Sequence, residues 1–127
     1  QLPVKVVVFN NASLGMVKLE MLVDGLPSFG TDHDSIDFSR IASAMGIRSI
    51  RVEQPSEVSA AFSGALREPG PALVDVVTDP NALSIPPKIT GPQVKGFALA
   101  VSRTVLSGGV GKMLRLARSN IRNIPGR

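Results

Sequence analysis

The stretch VVVFNNASLG, residues 6–15, decides how this chain is read. Residues 4–8 are apolar except for Lys5. That is the continuous pattern of a parallel strand covered on both faces, not the alternation of a half-exposed one. The run then meets two asparagines, two small residues, a leucine and a glycine. In parallel α/β sheets, ligands bind beyond the carboxyl ends of strands, and the two amides stand at such an end. An amide oxygen is a hard donor suited to Mg2+ or Ca2+, and a neighbouring backbone carbonyl can supply a second oxygen. The N–H groups opening a following helix would face the same anion. On pattern alone, the simpler reading is a pair of turn-forming asparagines satisfying a strand end.

Working outward, residues 16–22 read as a short helix with Met16, Leu19 and Val23 on one side, followed by a loop rich in Gly, Pro, Asp and Ser. Phe38, Ile41, Ala42 and Met45 form a helical stripe, with Asp37 placed to cap it and Gly46 to end it in a left-handed turn. Residues 49–52 predict a second strand. Ser56 is placed to cap a helix striped by Val58, Ala61, Phe62 and Ala65, and residues 72–77 predict a third strand. Helices alternating with apolar strands predict an α/β fold: a parallel sheet with helices on both faces. Four prolines between residues 80 and 92 interrupt regular structure. Helices then follow over about residues 93–107 and 112–122, separated by SGGVG. The expected organisation is an α/β portion over residues 1–80 and a Pro-rich connection with a C-terminal helical tail over residues 81–127.

The 127 residues, 43% hydrophobic, suffice for one core. The absence of cysteine excludes disulfides and thiolate metal sites. All ten acids precede residue 80, where the net charge is −4; from Lys88 onward eight bases meet no acid, giving +8. In the last helix Lys112, Arg115, Arg118 and Arg122 share a face, while Met113, Leu114, Ala117 and Ile121 lie largely on other sides. This makes a basic amphipathic segment suited to an anionic surface. Tyr and Trp are absent and the five Phe are not interleaved with the bases, so stacking on nucleic-acid bases is poorly supported.

The segment LPVKVVVFNNASLGMVKLEM, residues 2–21, resembles the second half of the thiamine-diphosphate binding motif, which ends in a double asparagine. DFSRIASAMGIRSIRVEQPSEV (residues 37–58) and GPALVDVVTD (residues 70–79) resemble the segments that follow in that superfamily. IPPKITGPQVKGFALAVSRTVLSG, residues 85–108, resembles more narrowly the quinone-dependent pyruvate dehydrogenase, or pyruvate oxidase, family. The resemblance implies three α/β domains, of which this chain would be the last portion of the third. It implies Mg2+ held by the Asn11 side-chain oxygen and the Ser13 backbone carbonyl, with Asn11, Ala12, Ser13, Leu14, Gly15, Met16 and Val17 lining thiamine diphosphate. Met16 stands where relatives often carry an aromatic residue.

The family motif begins with Gly-Asp-Gly upstream of the asparagines, whereas this chain starts nine residues before Asn10. The chain alone is therefore expected to be inactive, and no catalytic residue is assigned within it. The implied reaction is oxidative decarboxylation of pyruvate to acetate and CO2. Electrons would pass through FAD, bound by a domain not in this chain, to a membrane quinone. A homotetramer in the cytoplasm, peripheral on the inner face of the cell membrane and held to anionic lipid by the tail, is the implied setting, with no nucleic acid. The alternatives are a soluble relative such as an acetolactate synthase or 2-oxoacid decarboxylase, or a non-enzymatic basic α/β binding module. Glu20, a helix turn from Met16, reads either as facing the site or as a solvated helix position, and His33, with acids on both sides, either as a general base or, more simply, as an exposed loop histidine; neither is given a role.

Overall fold

Three parallel strands carry the first of two units. The computed structural model describes residues 2–82 and 90–121. The units comprise residues 1–12 with 34–78, and residues 13–33 with 79–127.

The sheet unit holds β1 (Lys5–Asn10), α1 (Phe38–Ala44), β2 (Arg48–Val52), a 3-10 turn (Pro55–Glu57), α2 (Val58–Arg67) and β3 (Ala72–Val77). The strand order is β1-β3-β2, all parallel, and the register sets Val8, Asp75 and Arg51 side by side. Asp37 caps α1 by accepting the Arg40 N–H at 2.9 Å. Gly46, at φ +73°, turns the chain out of that helix. The 3-10 turn before α2 opens with a capping box between Gln54 and Glu57, and α2 follows with no side-chain cap, so Ser56 does not cap it.

Side-chain alternation along β3 divides its neighbours. Ala72 and Val74 join Val52, Ala61 and Ala65 in the core beneath α2, flanked by Ile50, Val58, Phe62 and Val76. Asp75, on the opposite face, accepts the Phe38 N–H at the start of α1. Helices therefore cover both faces of the sheet, as the strand and helix alternation predicts.

Two further expectations fail in this unit. β1 is not buried on both faces: Val6 and Val7 are 43% and 37% exposed, and Phe9 72%. It is an edge strand, and α1 and α2 pack chiefly over β2 and β3. In the α1 stripe only Ala42 is buried; Ile41 and Met45 face outward, because a seven-residue helix lying on a narrow sheet buries little of its girth.

The helical unit holds α3 (Gly15–Val23), the loop to His33, residues 79–82, α4 (Gly91–Leu106) and α5 (Val110–Asn120). In the chain, α3 precedes α1. Leu19, Leu22, Ala100 and Leu116 form the core, with Val23, Phe97 and Met113 packed against it. The buried side of α3 is thus Leu19 and Leu22; Met16, expected beside Leu19, is 62% exposed. The first turn of α3 points Met16 away from the helices that supply the core.

Gly96 lets α4 meet the end of α3. A Cβ built on it would lie 1.8 Å from the Val23 carbonyl oxygen. Thr90 and Gln93 form a capping box, and Gly108, at φ +84°, breaks α4 from α5. In α5, Leu116 and Met113 face the core while Arg115 and Arg118 are exposed. Arg122, counted above on the same face, lies outside the described residues, as do residues 83–89 of the Pro-rich connection. No helix among the described residues is long and apolar enough to cross a membrane.

Candidate functional site

Residues 11–17 run from the carboxyl end of β1 into α3, and the division between the units falls between Ala12 and Ser13.

On the sheet side, Asn10 is 5% exposed and its amide is spent on structure. Its Nδ2 donates to the Ile36 carbonyl at 2.7 Å, and its Oδ1 accepts the Ala12 N–H at 3.4 Å. The Asn10 carbonyl accepts the Thr78 N–H, carrying the β1–β3 ladder to the end of the strand. Asn11 and Ala12 follow, both half-buried, with Ala12 at φ +48°. A left-handed alanine is costly for an L-residue, so the surrounding bonds hold it there.

Two residues after Ile36, the Phe38 N–H donates to Asp75 Oδ2 at 3.1 Å, and Arg51 Nη1 donates to the same oxygen at 2.8 Å. Residues 36–38 are thereby tied at both ends, to the last residue of β1 and to the central strand. Asp75 is fully buried, and its Oδ1 has no hydrogen-bond partner among the described residues. Arg51 also bonds Glu53 at 2.9 Å.

On the helical side, Ser13 is 7% exposed. Its hydroxyl donates to Asp32 Oδ1 at 2.9 Å and lies 3.2 Å from the Thr31 carbonyl, which also accepts the Leu14 N–H at 2.7 Å. Lys18, 4% exposed, donates to Asp32 Oδ1 at 3.1 Å. The Lys18 hydrogen bond holds the Asp32 carboxyl below its ordinary value, with the Ser13 hydroxyl adding to the effect and partial burial opposing it.

α3 starts without a side-chain cap on Leu14 and without an acid in its first turn. Its opening N–H groups therefore meet no carboxylate from the helix itself, as an anion-binding helix end requires. Gly15 is half-buried, while Leu14, Met16 and Val17 present exposed apolar surface.

The donors in this stretch, an amide oxygen and a backbone carbonyl, are hard neutral oxygens that fit Mg2+ bound to a diphosphate. The described residues hold no group of three or more His, Cys, Asp or Glu suited to a metal. Glu20 and His33 are exposed.

Four residues that shape this region escape a reading of the pattern. Asp75 is one charge inside ALVDVV, a signal in itself, since an acid in a buried strand needs a partner. Lys18 stands four residues before Leu22, on the inward side of α3, where a cation is out of place. Asp32 and Arg51 give no local signal, because only the fold brings them to these partners.

Residues 1–76 match the model of the thiamine pyrophosphate enzyme family, C-terminal TPP binding domain. Among curated proteins, YdaP of Bacillus subtilis (strain 168), classed as thiamine pyrophosphate-containing, is 37% identical over 98 residues, 77% of this chain and 17% of that protein. The catalytic subunit of mitochondrial acetolactate synthase from Aspergillus candidus is 34% identical over 84 residues, 65% of this chain and 12% of the relative. The large subunit of acetolactate synthase isozyme 2 from Escherichia coli (strain K12) is 36% identical over 81 residues, 62% and 15% respectively. The chain therefore spans less than a fifth of the length of these relatives. With its match covering well over half of the sequence, the chain belongs to the thiamine pyrophosphate enzyme family, in the region of the C-terminal cofactor-binding domain.

Proposed function

We propose that this chain is the cofactor-holding end of a thiamine-diphosphate enzyme acting on 2-oxoacids, of the acetolactate synthase kind. The observation that carries the reading is the family match over residues 1–76, joined to acetolactate synthases among the relatives at 34% and 36% identity. The Asn11 side-chain oxygen and the Ser13 carbonyl would serve Mg2+, and the first-turn N–H groups of α3 the diphosphate. Leu14, Met16 and Val17 would give the apolar part of the group a surface from which water is displaced. When bound, the group supplies the electron sink on which a 2-oxoacid loses CO2. The residues of this chain supply placement: the Asn10 clamp fixes the turn that presents Asn11, and the uncapped start of α3 favours an anion.

The test uses the full polypeptide that carries this chain, supplied with Mg2+, thiamine diphosphate and pyruvate. Acetolactate is the expected product. Asn11→Ala is expected to weaken Mg2+ binding, measured calorimetrically at saturating thiamine diphosphate, by tenfold or more while circular dichroism stays unchanged. Failure of the unaltered polypeptide to bind either ligand would overturn the reading.

A second reading, oxidation of pyruvate to acetate with FAD and a membrane quinone, is favoured by one feature of the helical unit. α5 leaves Arg115 and Arg118 exposed within the stretch that carries +8. Basic residues beside an anionic leaflet contribute about 1 kcal/mol each. Under this reading the polypeptide reduces quinone and sediments with anionic vesicles, and Arg115→Glu with Arg118→Glu releases it. Equal sedimentation of the altered and unaltered proteins excludes the lipid contact.

A further inference from the structure

We propose that Lys18 and Asp32 are positioning residues that fix Ser13, and with it the turn into α3, in the arrangement the cofactor's metal requires. This inference rests on the functional reading above. Its geometry lies wholly within the helical unit. One carboxylate oxygen, Asp32 Oδ1, receives both the Ser13 hydroxyl at 2.9 Å and the Lys18 ammonium at 3.1 Å. The backbone closes the same loop a second time. Ser13 and Asp32 form an antiparallel bridge, and the Leu14 N–H donates to the Thr31 carbonyl at 2.7 Å. Ser13, Thr31 and Lys18 are 7%, 3% and 4% exposed, so the groups that hold Asp32 are buried while its carboxylate side chain keeps contact with solvent.

The lysine is the informative member. A buried ammonium costs free energy unless it is paired, and an apolar side chain would fill the same volume without that cost. Lys18 follows Leu14 by one helical turn, and its head reaches Asp32 and, at 3.5 Å, the Pro80 carbonyl. It thus draws the Asp32 loop onto the helix that Ser13 precedes. Ligands of a metal are oriented by the groups that hold them, and removing such a group weakens metal affinity 10- to 100-fold in characterised sites. Ser13 would act through its backbone carbonyl, so its hydroxyl is available to be held. The Lys18–Asp32 pair holds it, touching neither metal nor substrate.

The test measures Mg2+ affinity by calorimetry, at saturating thiamine diphosphate, on the full polypeptide. Lys18→Met, Asp32→Ala and Ser13→Ala are each expected to raise the Mg2+ Kd about tenfold. Lys18→Met combined with Asp32→Ala should be no worse than either alone, because both cut one connection. Asp32→Glu should recover part of the loss, and excess Mg2+ should restore kcat in every variant. Asp32 is 60% exposed, so Asp32→Ala and Ser13→Ala carry the test if Lys18→Met does not fold. Unchanged Mg2+ affinity in those two variants overturns the proposal, even with a lowered unfolding temperature, since the contacts would then be a brace only. If the unaltered polypeptide binds neither Mg2+ nor thiamine diphosphate, the functional reading falls and this inference with it. If it binds both and the variants match it, only this inference falls.

Discussion

Asp75 is the side chain on which the sheet unit depends most heavily. It is fully buried on the central strand and takes the Arg51 guanidinium and the Phe38 N–H on one oxygen. Removing one member of a buried ion pair leaves the other uncompensated, at a cost of about 3–5 kcal/mol. Arg51 keeps some solvent and Glu53, so Asp75→Ala should cost about 3 kcal/mol, read as a lowered urea midpoint, and Asp75→Asn distinctly less. An unchanged midpoint for Asp75→Ala would show that the pair holds nothing together. Asp37 supports a pH prediction. Its carboxyl sits below its ordinary value because the Ser39 hydroxyl and the Arg40 N–H bond to it. A carboxylate depressed on folding contributes stability that is present above its unfolded value and lost as pH falls through its folded one. Helicity of α1 should therefore decline on acidification, and Asp37→Asn should flatten that decline in a circular dichroism titration. The cap was legible, since Asp before an apolar helical stripe is a local signal. Arg51 as the partner of Asp75 was not, because it depends on the register of β2 against β3.

At the level of elements, Gly96 decides how closely two helices approach. A Cβ there would overlap the Val23 carbonyl, a backbone atom that cannot swing aside. Gly96→Ala should force α3 and α4 apart and cost at least about 2 kcal/mol, the range of overpacked sites. Gly111→Ala, whose added methyl meets only the end of the flexible Arg115 side chain at 3.7 Å, should not lower the melting temperature and serves as the control. Equal melting temperatures for the two variants would refute the close-approach argument. β3 falls where the apolar run predicts, because short strands bounded by Pro71 and Thr78 leave little choice. On α3, Leu19 and Val23 face the core as read, but Met16 does not and Leu22 does. A nine-residue helix carries only two apolar turns, and periodicity alone does not say which neighbouring elements will supply the core.

Over the whole molecule, the α/β class and the helices on both sides of the sheet follow from the order of apolar and helical segments. The candidate stretch was recognisable as the place where the first strand runs into paired amides. Its supports, Ile36 for Asn10 and Asp32 for Ser13, come from the loop on the far side of α3 and have no local signature. The cover of β1 was misjudged for a related reason. A continuous apolar run reports that a strand is able to be buried on two sides, while the structure leaves Val6, Val7 and Phe9 exposed.

That exposed margin has a consequence for handling the protein. An unshielded, valine-rich edge strand offers its outward N–H and C=O groups as a template on which a second molecule can continue the ladder. Prepared on its own, the 127-residue chain should associate with copies of itself through β1 and scatter light on concentration. Val7→Lys, placing a charge midway along that border, should keep it dispersed.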